Sequence, residues 1–223
     1  AAVIDNGKGI AGVAQVSIMA EKVLDRYGYG SNWNVARGIV HATQSGANVI
    51  SMSLGSSSFS RILQKACLYA WRKGCILVAA AGNDGVRSID YPARFKTVIC
   101  VGSIDRSNSR SSFSNYGPQM ELVAPGEHIL STYPGNMYVY KSGTSMATPH
   151  VAGVAALVWS HNPTLRNRDV RIILARTADD LGTLGWDEEY GFGRVDAEEA
   201  VNVASALSTR IAKRLKEEKR SEC

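Results

Sequence analysis

Residues Ser60–Ala81, SRILQKACLYAWRKGCILVAAA, set a helix-period segment, a glycine and a continuously apolar run in immediate succession. The segment Ser60–Lys73 has a polar capping candidate before it and Gly74 after it, the signature of a complete helix. The run Cys75–Ala81 shows no in/out alternation, so it reads as a strand covered on both faces. Three further runs of the same kind are Val49–Leu54, Thr97–Gly102 and Glu121–Ala124, and a second helix-period segment, Trp33–Ser45, ends at Gly46. Strands alternating with helices predict right-handed βαβ crossovers. The expected fold class is therefore α/β: one domain built on a doubly wound, mostly parallel sheet with helices on both faces. Pro134, Gly135 and Asn136 separate two short segments rich in Tyr, Val and Ile, which predicts a β-hairpin. No internal repeat is visible.

The 223 residues are 45% apolar, enough for one large globular domain and too apolar for a disordered chain. The longest stretch without Asp, Glu, Lys or Arg runs from Ser142 to Leu165. It carries two prolines, and its apolar core, Met146–Trp159, is shorter than a bilayer requires, so no membrane span is expected. Much of the net charge of +5 comes from Arg210, Lys213, Arg214, Lys216, Lys219 and Arg220. No recognition motif accompanies these residues, which predicts a solvated tail and no nucleic-acid partner. Cys67, Cys75, Cys100 and Cys223 lack metal-ligand spacing and sit mostly inside apolar runs, as buried thiols do. The chain opens on Ala1 without a signal-peptide pattern.

The densest local signal is GTSMATPHVAG, Gly143–Gly153, which leads straight into the apolar run Val154–Trp159. A serine in the first turn of a long buried helix lies beside unpaired backbone N–H groups and the positive end of the helix dipole, where a developing oxyanion is stabilised. Gly143 permits close approach of the chain, and Ala147 leaves the space beside the hydroxyl open. A simple helix cap would be the alternative for a serine in isolation. The length of the motif decides otherwise, because GTSMATPHVAG resembles the nucleophile signature of the subtilisin family. The resemblance continues through VISMSLG (Val49–Gly55), AAAGN (Ala79–Asn83), SIDYPAR (Ser88–Arg94), SSFSNYGP (Ser111–Pro118), LVAPG (Leu122–Gly126) and YGFGRVDAEEA (Tyr190–Ala200). It fades after about Ser205, which predicts a peptidase domain over residues 1–205 and a charged helical extension over 206–223.

The resemblance implies a serine endopeptidase in which Ser145 attacks a peptide carbonyl to form an acyl-enzyme that water releases. It assigns Asn83 to the oxyanion hole, together with the backbone N–H of Ser145. Ser53, Leu54 and Gly55 match the segment laid beside an extended substrate, and Gly28, Tyr29 and Gly30 match the strand on its other side. The partners implied are peptide or protein substrates and, in a full-length parent, a propeptide; the location implied is extracellular.

Such a serine needs a general base, which the family supplies from an HGTH motif upstream, preceded by an aspartate. None of the four histidines has that context. His150 follows Ser145 by five residues on one helix, which turns it roughly 140° away. His41 falls in a helical segment, His128 follows a turn, and His161 sits at a helix end. Alignment of Ala1–Ala14 with the family puts the expected histidine about eight residues before Ala1, with the aspartate further upstream. The chain is therefore expected to be an N-terminally truncated catalytic domain, nearly inactive as it stands. The contrasting expectation is a catalytically dead member that binds peptides.

Gly7, Gly9 and Gly12 fit the dinucleotide pattern G-x-G-x-x-G, with a candidate helix Val13–Leu24 after them and Asp25 beyond. Asp5 would set a carboxylate beside the pyrophosphate, which disfavours that reading. In the subtilisin alignment the same loop binds structural calcium through the Asn6 side chain and the backbone carbonyls of Ile4, Lys8 and Ile10. An α/β-hydrolase would need an acid and then a histidine after the serine, and no Asp or Glu lies between Ser145 and His150 or His161.

Overall fold

The computed structural model describes residues 7–207. Strands β1 (Val49–Met52), β2 (Ile76–Ala80), β3 (Ile99–Ile104) and β4 (Leu122–Pro125) form one sheet in the order β1-β2-β3-β4, with every pairing parallel. All of β2 and β3 is buried, as their unbroken apolar character requires. Because successive strand side chains point to opposite faces, each strand feeds two cores. On one face α1 (Asn32–Gln44) and α2 (Arg61–Arg72) pack on Leu77, Ala79, Cys100 and Val123. On the other, α3 (Thr144–His161), α4 (Asn167–Arg176) and the helical stretch 197–207 cover Ile76, Val78, Ile99, Val101, Leu122 and Ala124. Helices therefore lie on both faces, as expected.

The helix limits follow the capping chemistry. Ser31 accepts a hydrogen bond from the Asn34 N–H and Ser60 one from the Leu63 N–H, satisfying donors that the first turn leaves unpaired. Gly46 and Gly74 lie just past the two helices at φ 86° and 96°, a conformation that a side chain resists. The predicted hairpin is present as β5 (Ile129–Tyr133) and β6 (Met137–Lys141), an antiparallel pair turning through Gly135 and Asn136.

Two expectations need correction. Only the β1–β2 crossover carries a helix; the connections 81–98 and 105–121 are irregular, and their backbone groups are satisfied by side chains such as Asn115. The stretch Val13–Leu24 is not helical, and it leaves Val13, Val16, Ile18 and Met19 exposed. A dinucleotide motif must open a helix, so its last structural support is gone.

Cys67, Cys75 and Cys100 are buried free thiols, and burial pushes Cys67 up to about 12, leaving it protonated and inert at neutral pH. Cys223 and the rest of the charged extension lie outside the described residues. Among the described residues no helix is long and apolar enough to cross a membrane.

Candidate active site

Ser145 sits half-buried in the first turn of α3. The start of that helix is fixed by Gly143, whose N–H donates to the Gly126 carbonyl at 2.8 Å, just beyond β4. Four residues after Ser145, Pro149 has no N–H, so the Ser145 carbonyl loses its ordinary helical donor. The Ser53 hydroxyl takes that place at 2.7 Å. Ser53 follows β1 directly, so this bond ties the end of the sheet to Ser145 itself. Sequence reading selected Ser53 for its backbone and gave no hint of this side-chain role.

Asn83 emerges just after β2, and its amide oxygen accepts from the Thr144 N–H at 2.8 Å and the Thr144 hydroxyl at 2.9 Å. A backbone N–H can only donate, so the oxygen must face Thr144 and the NH₂ group must point elsewhere. The amide nitrogen is thereby free to donate beside the first turn of α3. Thr144 is fully buried and also accepts the Gly82 N–H at 3.3 Å. Asn115, also fully buried, shapes the loop after Asn83: its side-chain oxygen accepts from the Asp84 and Val86 N–H groups, and its own N–H donates to the Gly82 carbonyl. Neither Thr144 nor Asn115 was singled out from sequence. The only available signal was their place inside GTSMATPHVAG and SSFSNYGP.

Three of the four histidine rings are engaged elsewhere. The His41 ring meets Glu21 at 2.7 Å on the exposed side of α1. The His150 and His161 rings bond the carbonyls of Met146 and Leu157, one helical turn back. His128 donates its backbone N–H to the Ser142 hydroxyl and lines a cavity with Asp105, Arg106, Ser107, Glu127 and Tyr140. Among the described residues none of these rings bonds Ser145.

Leu54 and Gly55 continue from Ser53 past the end of the β1–β2 pairing, giving a stretch that leads to Ser145. Gly28, Tyr29 and Gly30 do not form the strand expected of them. Residues 25–29 fold instead into a turn around Asp25, whose carboxylate accepts the Tyr27 and Tyr29 N–H groups, and Tyr29 is 75% exposed. Of the expected calcium donors, Lys8 lies in a bend over residues 7–9 and Ile10 just after it, whereas Ile4 and Asn6 fall outside the described residues.

One further carboxylate lies close by. Burial, and then the charge of Asp84, push the Asp90 carboxyl above the usual aspartate range. The folded chain thus holds this proton more tightly than the unfolded chain. Asp90 favours folding below the ordinary aspartate pKa, and that contribution is lost as pH rises through the folded value. Asp90→Asn should therefore gain thermal stability relative to the unsubstituted chain between about pH 3 and about pH 7. Melting curves at the two pH values check this, and a difference that does not move would contradict it.

Comparison with known proteins places the sequence and the fold in one family. A family model described as "Subtilase family" matches residues 1–193. The chain is 48% identical over 197 residues to the thermostable alkaline protease of Halalkalibacterium halodurans, covering 88% of this chain and 54% of that protein. It is 47% identical over 202 residues to thermitase of Thermoactinomyces vulgaris, covering 90% and 71%. The crystal structure of a lanthipeptide protease superposes with a TM-score of 0.76 at 32% identity, covering 82% of this chain and 69% of that one. The chain spans about half the length of the alkaline protease and of the M-protease of Shouchella clausii, of which it covers 52%. On the signature around Ser145 and a match that runs through most of its length, the chain belongs to the subtilase family.

Proposed function

We propose that this chain is the serine-bearing part of an endopeptidase that cleaves extended peptides through an acyl-enzyme on Ser145. The observation that carries the reading is the bonding of the Asn83 amide oxygen to Thr144, the residue before Ser145, which leaves the amide nitrogen free to donate there. The Ser145 hydroxyl oxygen bonds to the substrate carbonyl carbon and gives its proton to a base. Negative charge moves to the carbonyl oxygen, where the Asn83 amide and the Ser145 N–H receive it. Collapse breaks the C–N bond, the base returns its proton to the leaving amine, and water then hydrolyses the ester.

The base and its orienting carboxylate come, in this reading, from sequence outside these 223 residues. Two features support further chain packing here: among the described residues β1 is an edge of the sheet, and Val16, Ile18 and Met19 are exposed in a stretch without a ladder partner. Peptide or protein substrates, an extracellular location and a propeptide partner belong to the same proposal. A second reading, a peptide-binding protein without catalysis, is favoured by the His41, His150 and His161 rings, which bond Glu21 and carbonyls of their own helix instead of Ser145. The two separate on an internally quenched peptide, assayed with the chain extended by the family's aspartate- and histidine-bearing segment. The endopeptidase reading expects turnover that Ser145→Ala abolishes; a folded, peptide-binding but inactive extension would favour the second.

Structural calcium is proposed on the chemistry of its donors. The Asn6 side-chain oxygen and the carbonyls of Ile4, Lys8 and Ile10 are hard oxygen ligands that suit Ca²⁺. Millimolar calcium should raise the melting temperature by mass action, and Asn6→Ala should remove the effect. A melting temperature indifferent to calcium and to chelator would dismiss the site.

A further inference from the structure

The Asp90 carboxylate occupies an unusual position. Its backbone N–H donates to the Ala81 carbonyl at 2.9 Å, and the next residue, Tyr91, exchanges two 2.9 Å hydrogen bonds with Ser56. Asp90 is thus pinned between the chain leaving β2 and the chain leaving β1. Its side chain lies in the gap between them. A methyl group built on Gly55 would come within 3.1 Å of Asp90 Oδ2, and one built on Gly82 would meet the Asn115 amide nitrogen first and Asp90 Oδ2 at 2.9 Å, so both glycines keep the space beside this oxygen open. Gly82 adjoins Asn83, and Gly55 lies two residues beyond Ser53, which bonds Ser145.

Elsewhere in the molecule, loop aspartates organise their own backbone. Asp25, Asp105 and Asp187 each accept two or more N–H groups from neighbouring residues. Asp90 accepts none among the described residues, and no cation pairs with it there. The nearby arginines are committed: Arg94 lies over the Tyr91 ring, and Arg87 pairs with Glu188. A half-buried carboxylate with neither role is free to meet a ligand.

We propose that Asp90 is a specificity-determining residue that selects lysine or arginine in the substrate residue whose carbonyl Ser145 attacks. The inference rests on the reading of Ser145 and Asn83 as the reacting groups. With the carbonyl oxygen at the Asn83 amide and the peptide along Ser53–Gly55, the side chain of that residue enters the gap between Ser53–Gly55 and Ala81–Asn83. The glycines leave its walls smooth enough for an aliphatic stem, and the carboxylate across the gap receives the cationic head.

The test is fluorescence anisotropy on the 223-residue chain carrying Ser145→Ala, which keeps peptides intact. The probes are labelled tetrapeptide amides that differ only in a final Arg, Lys, Leu or Glu. The Arg and Lys peptides should bind at least about tenfold tighter than the Leu peptide, and the Glu peptide weakest. Asp90→Asn and Asp90→Ser should each bring the Arg and Leu peptides to within about twofold, while Asp90→Glu retains the preference. Measurable Leu binding without an Arg preference, or a preference that survives both neutral variants, overturns the inference and leaves the cleft reading standing. Binding of none of the peptides overturns the cleft reading and the inference with it.

Discussion

Asn83→Leu, made in the chain extended to carry its base, is expected to lower kcat by about 10²–10³ with KM little changed, a magnitude taken over from the equivalent loss in subtilisin itself. The expectation follows from when the hydrogen bond forms. The ground-state carbonyl is planar and weakly charged, whereas the tetrahedral intermediate places a full negative charge where the amide N–H points. A donor aimed at the second state alone changes kcat and not binding. The aim is set by Thr144, which holds the amide oxygen through its backbone and its hydroxyl. Thr144→Val removes the hydroxyl and keeps the backbone donor, so it should cost less, on the order of tenfold in kcat. Steady-state kinetics on one peptide series compares both variants. A rise in KM at unchanged kcat for Asn83→Leu would mean that the amide binds substrate and does not stabilise the oxyanion.

The second large effect concerns the base. Supplying the family's aspartate and histidine should raise kcat for peptide hydrolysis by about 10⁶ over the 223-residue chain, again a value taken over from subtilisin. The chain alone should retain about 10³–10⁴ over water from oxyanion stabilisation and substrate binding. The structure makes the gap intelligible. The His150 and His161 rings bond carbonyls of their own helix, and the His41 ring bonds Glu21. A serine hydroxyl without a base to take its proton is a poor nucleophile. A 223-residue chain already as fast as its extended form would show that some group within it activates Ser145.

The sequence made the sheet legible because β2 and β3 are buried on both faces, a burial that forces unbroken apolar runs. Helices α1 and α2 were equally legible from their helical periodicity and the trailing Gly46 and Gly74, since helix termination is local chemistry. The irregular crossovers 81–98 and 105–121 were not. Their order depends on long-range bonds such as those Asn115 makes to Asp84 and Val86, and no periodicity encodes these. At the candidate site, Ser145 and Asn83 could be read because they sit in long motifs. The contacts that hold them could not, since Ser53 and Ser145 are 92 residues apart in the chain. Asp90 stayed silent for the same reason: its meaning comes from Gly55 and Gly82, which only the fold brings to it. The turn at residues 25–29 was not legible either, because a glycine-rich match to a strand gives no sign that the Asp25 carboxylate gathers the Tyr27 and Tyr29 N–H groups.

The most direct test of the central claim is mass spectrometry after incubation with a fluorophosphonate, which phosphonylates an activated serine and displaces fluoride. The 223-residue chain, its extended form and the extended form carrying Ser145→Ala are compared. The account predicts a single adduct at Ser145 in the extended form and none in the other two. A folded extended form that stays unlabelled, or one labelled at another residue, would contradict it.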